Sequence, residues 1–191
     1  MTASNSEPLT LPDYLRPGLR IVFVGINPSV YSVQQGHYFA RPINRFWPAF
    51  SRSRLSEAIR AAFGRERLGP ADDATLLEFG IGFTDVVKRP SRNVSELLPE
   101  DFRTGAPKLL AKLESCEPRI ACFHGLMGYR PFVRHGLGLK EVPRDLGMQP
   151  ICLGETRVYV VPSPSPANAH FTPADQTLWY DRLANFCDAA Q

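Results

Sequence analysis

The 191-residue chain has the length of one ordinary domain and is long enough to bury a full hydrophobic core. Hydrophobic residues make up 43% of it and charged residues 21%, which excludes an intrinsically disordered chain. The formal net charge of +3 permits nucleic-acid binding without demonstrating it. No apolar run approaches the roughly 20 residues of a membrane helix. The N-terminus lacks a basic start followed by an apolar stretch, so we expect a cytoplasmic protein without membrane association.

Along the chain, predicted strands alternate with predicted helices. A polar segment, residues 1–10, is predicted to be a flexible N-terminal segment, and residues 11–191 to form a single domain. Apolar runs predict strands at 19–24, within 80–87, and at 119–124, 151–153 and 158–161. Apolar periodicity and capping residues predict helices at 43–50, 55–63 and 72–79, one or two helices over 102–113, one after 124, and one from 173 onward. This alternation predicts an α/β fold whose mostly parallel sheet is covered on both faces.

Three segments directly follow predicted strands, at 25–41, 85–92 and 162–170. Because ligands bind at the carboxyl ends of the strands in such folds, we expect these segments to form one shared site. The first is longer and more irregular than a connection requires, and it holds Asn27 in a sharp turn off a buried strand. Phe39 lies in the same segment, either as a stacking surface for a flat ligand or as part of the core.

The third segment contains three prolines within five residues, which predicts a stiff, extended loop. Such a loop serves either as a wedge pressed into a groove or as a rigid connector before the last helix. Two groups of basic residues are either phosphate contacts or a solvated face: Arg41, Arg45, Arg52, Arg54, Arg60, Arg65 and Arg67, then Lys88, Arg89 and Arg92. The four cysteines match no zinc or iron–sulfur spacing, so we predict buried free thiols and no metal site.

The motifs GINPS at 25–29, GHYFARPINRFW at 36–47 and PSPSPAN at 162–168 together resemble the mismatch-specific uracil-DNA glycosylases. These enzymes belong with the thymine-DNA glycosylases in the uracil-DNA glycosylase superfamily, and the resemblance extends from about residue 15 to residue 186. It implies a three-layer α/β sandwich with a central, mostly parallel sheet of four or five strands. It also implies a monomeric, cofactor-free, monofunctional hydrolase that flips uracil out of double-stranded DNA, preferentially from G:U mismatches, and leaves an abasic site. Such a protein is expected at the nucleoid in the cytoplasm.

The resemblance assigns roles to individual residues. Asn27 matches the catalytic asparagine that positions the attacking water, and Phe39 matches the aromatic residue that stacks on the flipped base. Backbone groups of Ile26 and the side chain of Ser32 match pocket positions, and Ser163 matches a serine near the flipped nucleotide's phosphate. The loop that enters the duplex corresponds to Pro164, Ser165, Pro166, Ala167 and Asn168. Two positions depart from the pattern: Ser29 replaces a frequent glycine, and the loop lacks the leucine and arginine of some relatives, so we expect altered reading of the opposite base.

Chemistry adds Asp85 to the candidate catalytic residues. Breaking the glycosidic bond places positive charge on the sugar and negative charge on the base, so a carboxylate near the sugar is useful. Asn27 can hold a water but cannot take its proton, because an amide does not titrate near neutral pH. Asp85 ends a predicted strand on the side of the site and can activate the water or stabilise the sugar cation. The alternative is a capping aspartate, or one paired with Lys88 or Arg89.

Three functions remain compatible with the sequence. The first is the uracil-DNA glycosylase; the second is a DNA-binding module that keeps the fold but not the chemistry; the third is a hydrolase of free nucleosides or other small molecules. The presence of Asn27, Phe39 and Asp85 argues against the second. The basic clusters and the rigid third segment argue against the third. Turnover that is indifferent to salt would support it, because binding to DNA weakens steeply with salt.

Overall fold

The computed structural model describes residues 9–189, and over this range the chain forms five strands and six α-helices. The strands are β1 (Ile21–Gly25), β2 (Ile81–Asp85), β3 (Ile120–His124), β4 (Gly147–Leu153) and β5 (Thr156–Val161). The helices are α1 (Val30–Gln35), α2 (Phe46–Arg52), α3 (Glu57–Phe63), α4 (Pro99–Cys116), α5 (Leu126–His135) and α6 (Pro173–Ala189). Short 3₁₀ turns occur at Arg54–Ser56, Pro70–Asp72, Thr75–Phe79 and Val94–Glu96.

The strands form one sheet in the order β2-β1-β3-β5-β4. All neighbouring strands are parallel except β4, which runs antiparallel to β5. Every residue of β1, β2 and β3 is buried, as expected where helices cover both faces of a parallel sheet. The predicted α/β class, with a five-stranded, mostly parallel central sheet flanked by helices, is confirmed. No helix within residues 9–189 is both long enough and apolar enough to cross a bilayer.

The two faces of the sheet carry separate hydrophobic cores because successive strand residues point to opposite sides. One core is aromatic: the ring of Phe23 on β1 contacts Phe46, Phe50, Phe83 and Tyr180 at centroid distances from 5.3 to 6.2 Å. The other core lies against α4 and α5. The aromatic face ends, at the carboxyl edge of the sheet, in Gly25, Asp85 and His124, which continue the alternation of Phe23, Phe83 and Cys122.

The chain before β1 protects the open edge of the sheet. Strand β2 is an edge strand, and the backbone N–H and C=O of Tyr14 bond to Phe83 at 2.9 and 3.0 Å. Thr10 donates to the carbonyl of Lys88 at 2.6 Å. Most of the predicted flexible segment, residues 1–8, lies outside the described residues. The division into that segment and one domain stays a prediction.

Several local predictions are wrong for tertiary reasons. Residues 30–35 of the first segment form a short helix, α1. Of the one or two helices predicted over 102–113 the structure has one, α4, and Gly105 lets it pack on the chain just after β2; a Cβ there would lie 2.3 Å from the carbonyl oxygen of Val86. The predicted helix over 72–79 is two 3₁₀ turns, and α2 starts only at Phe46 because residues 41–44 form a turn. Cys152 is exposed, whereas the other three cysteines are buried as predicted.

Candidate active site

The three predicted loops meet at the carboxyl edge of the sheet. The backbone of Val30 donates to the carbonyl of Ser91 at 3.1 Å, and Ser91 donates to that of Pro28 at 3.2 Å, so the first and second loops are paired. Arg45 joins the first loop to the third: its backbone N–H donates to the carbonyl of Pro164 at 3.0 Å, and its guanidinium donates to that of Asn168 at 3.0 Å. One shared site therefore forms, as the positions of the loops predict.

The side chain of Asn27 is fixed by the second loop. Its amide nitrogen donates to the carbonyl of Arg89 at 3.0 Å, to the hydroxyl of Ser91 at 2.9 Å and to the carbonyl of Pro28 at 3.2 Å. Three acceptors around one atom identify it as the amide nitrogen and the other as the oxygen. The Oδ1 atom receives no hydrogen bond from any described residue, and the side chain is only half-buried. An oriented acceptor therefore remains free to hold a water molecule.

The hydroxyl groups of Ser29 and Ser32 form hydrogen bonds within the first loop. Ser29, the residue that departs from the family pattern, is the N-cap of α1 and its hydroxyl accepts from the backbone of Ser32 at 3.0 Å. The buried Ser32 hydroxyl in turn accepts from the backbone N–H of Ala40 at 3.3 Å. Ser32, predicted to line the base pocket, thus lies beneath the Phe39 turn.

Phe39 is held in an unusual backbone conformation. Its φ of 54° lies in the left-handed region, which a bulky residue rarely adopts. Two hydrogen bonds fix the preceding residue: buried Asp73 accepts from the backbone of Tyr38 at 2.8 Å, and the Trp47 indole donates to the carbonyl of Tyr38 at 2.9 Å. The Phe39 ring stacks on Phe46 at 4.3 Å with the planes 17° apart. The half-buried ring is therefore both a core contact and a rigid surface at the site.

Asp85 is a buried carboxyl whose charge has no direct ion pair. It is 4% exposed, its Oδ2 atom accepts no hydrogen bond, and the nearest cation, the Lys88 ammonium, lies 3.8 Å away. Burial raises the pKa of Asp85 to about 7, with the charge of Lys88 opposing the shift. Its other oxygen, Oδ1, faces Gly25: a Cβ at Gly25 would lie 2.4 Å from it. Arg89, one alternative partner, instead pairs with Asp101 at 2.6 Å.

His124 is a further polar side chain at the site, and it has a partner in the last helix. His124 ends β3 beside the site, its Nε2 atom lies 3.0 Å from the Tyr180 hydroxyl, and its ring meets that of Phe39 edge to face at 5.1 Å. Burial lowers the pKa of His124 to about 3, so the imidazole is neutral at physiological pH. The Nδ1 atom has no hydrogen-bond partner. Its position at a strand end was the only signal in the sequence, because Tyr180 lies in the last helix.

The third loop is tied at its base and exposed at its tip. The Ser163 carbonyl accepts from the Asn168 amide at 3.1 Å, and the Ser163 hydroxyl accepts from the backbone of Ser165 at 3.3 Å. Pro164 is buried, whereas Pro166 and Ala167 are exposed. The tip is consequently stiff, small and uncharged.

Ile26 and the basic residues complete the surroundings. The carbonyl of Ile26 accepts from the backbone of Val87 at 2.9 Å, and its side chain packs on the start of α5 at Gly128. Most of the clustered basic residues are engaged within the fold: Arg45, Arg54, Arg60, Arg65, Lys88 and Arg89. Within residues 9–189, Arg41 and Arg92 are the two exposed arginines of the site's loops whose side chains make no such contact. The same range contains no cluster of three metal-ligating side chains.

The fixed amide, the buried carboxyl and the clamped aromatic ring lie at the carboxyl edge of the sheet, which is where open α/β folds typically bind their ligands. The family model of the uracil DNA glycosylase superfamily matches residues 12–184. The chain belongs to this superfamily, which identifies it as a DNA glycosylase that acts on uracil. The match spans all five strands and all three loops of the site, and it confirms the sequence resemblance at the level of the superfamily.

Proposed function

We propose that the protein is a monofunctional, mismatch-specific uracil-DNA glycosylase that flips uracil from duplex DNA, preferentially opposite guanine, and hydrolyses its N-glycosidic bond. The observation that carries the proposal is the orientation of Asn27. Its amide nitrogen is held by the second loop, its oxygen accepts no hydrogen bond from any described residue, and Asp85 ends the neighbouring strand β2, paired with Gly25. We further propose that it acts as a monomer, without a cofactor, on DNA at the nucleoid.

In this proposal Asn27 orients the attacking water and Asp85 accepts its proton. The Asn27 oxygen accepts one hydrogen of the water, which turns a lone pair of the water oxygen toward C1′ of the sugar. A new C1′–O bond forms while the C1′–N1 bond breaks, and the bonding pair leaves with the base. Asp85 accepts the proton released by the water and, while ionised, stabilises the positive charge on the sugar. A carboxyl with a pKa of about 7 is well matched to this task near neutral pH.

The remaining site residues bind the flipped nucleotide in this proposal. Phe39 stacks on the uracil ring, and its rigid backbone means that little further ordering is needed when the base arrives. Ser32 acts on the base through the Phe39 turn, whereas backbone groups of Ile26 line the pocket. Ser163 lies near the phosphate, and exposed Arg41 contacts the DNA backbone.

The third loop fills the space that the flipped base leaves. Its members are Pro164, Ser165, Pro166, Ala167 and Asn168, and its exposed tip offers neither a large apolar side chain nor a charge to the opposite base. We therefore propose that preference for uracil opposite guanine arises mainly from the lower cost of flipping a mispaired base. An enzyme of this kind also releases uracil readily from single-stranded DNA.

Single-turnover release of uracil tests the proposal, with duplexes carrying U:G, U:A and T:G and with single-stranded uracil DNA. We expect rapid release from U:G, and a loss of at least about 100-fold for Asn27→Ala, within the range of general-base and oriented-water effects. Asn93→Ala is the matched control, because Asn93 is exposed in the neighbouring loop. DNA binding without release from any substrate would support the non-catalytic binding module, and turnover indifferent to salt would support a nucleoside hydrolase.

A further inference from the structure

A cluster of charged residues next to Asp85 is centred on Asp13, in the segment that precedes β1. The carboxylate of Asp13 accepts from the Lys88 ammonium at 2.8 Å, from the Lys112 ammonium at 2.6 Å and from the Thr84 hydroxyl at 2.7 Å. Both of its oxygens are engaged, and the side chain is 21% exposed. Asp13 thus joins the first described segment to β2, to the loop after it and to α4.

The Lys88 ammonium lies between the carboxyl groups of Asp13 and Asp85 and is closer to that of Asp13. Its ammonium contacts Asp13 at 2.8 Å and the Tyr38 hydroxyl at 3.3 Å, whereas the Oδ2 atom of Asp85 lies 3.8 Å away. The direct ion pair is therefore with Asp13, and Asp85 is left with a longer contact and no hydrogen bond to Oδ2. A carboxylate in direct contact with an ammonium is held in its ionised form and is a weak base.

The position of Asp13 is built into the fold. Thr10 donates to the carbonyl of Lys88 at 2.6 Å, the Tyr38 hydroxyl donates to the carbonyl of Pro12 at 2.9 Å, and Tyr14 is paired with Phe83. These bonds flank Asp13 on both sides along the chain. An exposed surface pair would lack such anchors, so the placement of this carboxylate beside Lys88 is specific.

We propose that Asp13 is a positioning residue for base release: it holds Lys88 back from Asp85, so that the Asp85 carboxyl stays free to take the proton of the attacking water. The inference rests on the proposed catalytic role of Asp85. The groups that face Asp85 are Asp13 from the N-terminal segment, Tyr38 from the first loop, Lys88 from its own loop and Lys112 from α4. Of these, the charge of Lys88, the Tyr38 hydroxyl and the charge of Lys112 lower the pKa of Asp85, whereas the charge of Asp13 raises it.

The pH dependence of single-turnover uracil release tests the inference. Asp13→Asn removes the charge that retains Lys88, so the acid limb of the profile moves to lower pH by about one unit or more. Lys88→Met removes the opposing cation, so the limb moves to higher pH by a similar amount. Lys140→Met changes the net charge equally in an exposed loop before β4, and we expect it to leave the limb in place.

Asp13→Asn and Lys88→Met break the same ion pair, and shifts of the acid limb in opposite directions support the positioning role. If the ion pair had only a structural role, both variants would lower the rate of release at every pH. If the wild-type limb is present and neither variant moves it, the positioning role is wrong while the glycosylase proposal stands. Should Asp13→Asn fail to fold, Lys112→Met leaves Asp13 paired with Lys88 alone, and the limb must then move to higher pH. If the wild type releases no uracil, the proposed function fails, and a ¹³C NMR titration of the Asp85 carboxyl in the same variants decides the positioning role by the same directions of shift.

Discussion

The substitution Asp85→Asn should stabilise the protein at alkaline pH while it removes most of the activity. Asp85 is buried, its Oδ2 atom accepts no hydrogen bond, and the nearest ammonium is 3.8 Å away. Ionising such a carboxyl carries a desolvation cost that its surroundings do not repay. Asparagine has nearly the same shape and no charge. It therefore removes that cost without opening a cavity.

The size of the effect follows from the shift in the pKa of Asp85, from 3.8 to about 7. A difference of roughly three units corresponds to up to about 4 kcal/mol, at 1.36 kcal/mol for each unit. Because the folded-state pKa is raised, the wild type has its full stability only below the unfolded-state pKa. It loses this contribution as the pH rises through 4 to 7. The gain in unfolding free energy from Asp85→Asn is thus largest near pH 8 and vanishes near pH 4.

Urea unfolding of the wild type and of Asp85→Asn at several values between about pH 5 and 8 measures this difference. We expect the two midpoints to converge as the pH falls, with equal slopes at each pH. A difference in unfolding free energy that does not change with pH would refute the raised pKa of Asp85. In the same variant, we expect single-turnover release to fall by about 100-fold or more, and a loss of less than about threefold would contradict the general-base role.

Three further outcomes are expected at the site. Release by the wild type should rise with pH through about 7 and then level off, because Asp85 must be ionised to accept a proton, and a flat profile would contradict that role. Gly25→Ala places a Cβ 2.4 Å from Asp85 Oδ1 and should cut release by about 100-fold, whereas Gly69→Ala, with open space around it, should not. Ser91→Ala removes one of the three acceptors that hold the amide nitrogen of Asn27 and should slow release by about tenfold. The affinity for DNA, measured in a gel-shift assay, should not change. Weakened binding would instead show that Ser91 contacts DNA.

The parts of the fold that the sequence predicted are those determined locally. The strands β1 and β3 are unbroken apolar runs, and strands buried on both faces need no information from distant residues to be recognised. Helix α4 is different: Gly105 and Pro107 leave open whether one or two helices form, and only the close approach of Gly105 to Val86, just after β2, explains why a glycine stands inside the helix. The short helix α1 was missed because its N-cap, Ser29, stands in a stretch that otherwise reads as a loop.

The same division applies to the site. Asn27 and Phe39 belong to a motif that can be read from the sequence, but the groups that fix them do not. The amide of Asn27 is held by Ser91, 64 residues away, and the Phe39 turn is held by Asp73, 35 residues from Tyr38. No periodicity or spacing signals these contacts, because they depend on how loops meet at the edge of the sheet. Sequence reasoning therefore identified candidate chemical groups without the contacts that orient them.

The surroundings of Asp85 argue that its lack of a direct ion pair is maintained rather than incidental. Two cations stood close enough in sequence to pair with it, and both are engaged elsewhere: Arg89 with Asp101 at 2.6 Å, and Lys88 with Asp13 at 2.8 Å. An ionised carboxyl buried without a direct ion pair is uncompensated, so its position is a cost to the fold. Such costs are retained where a group must keep a shifted pKa for chemistry. The lack of a direct ion pair at Asp85 therefore favours a catalytic role over a structural one, and it explains why a second carboxylate, the partly exposed Asp13, contacts the same lysine.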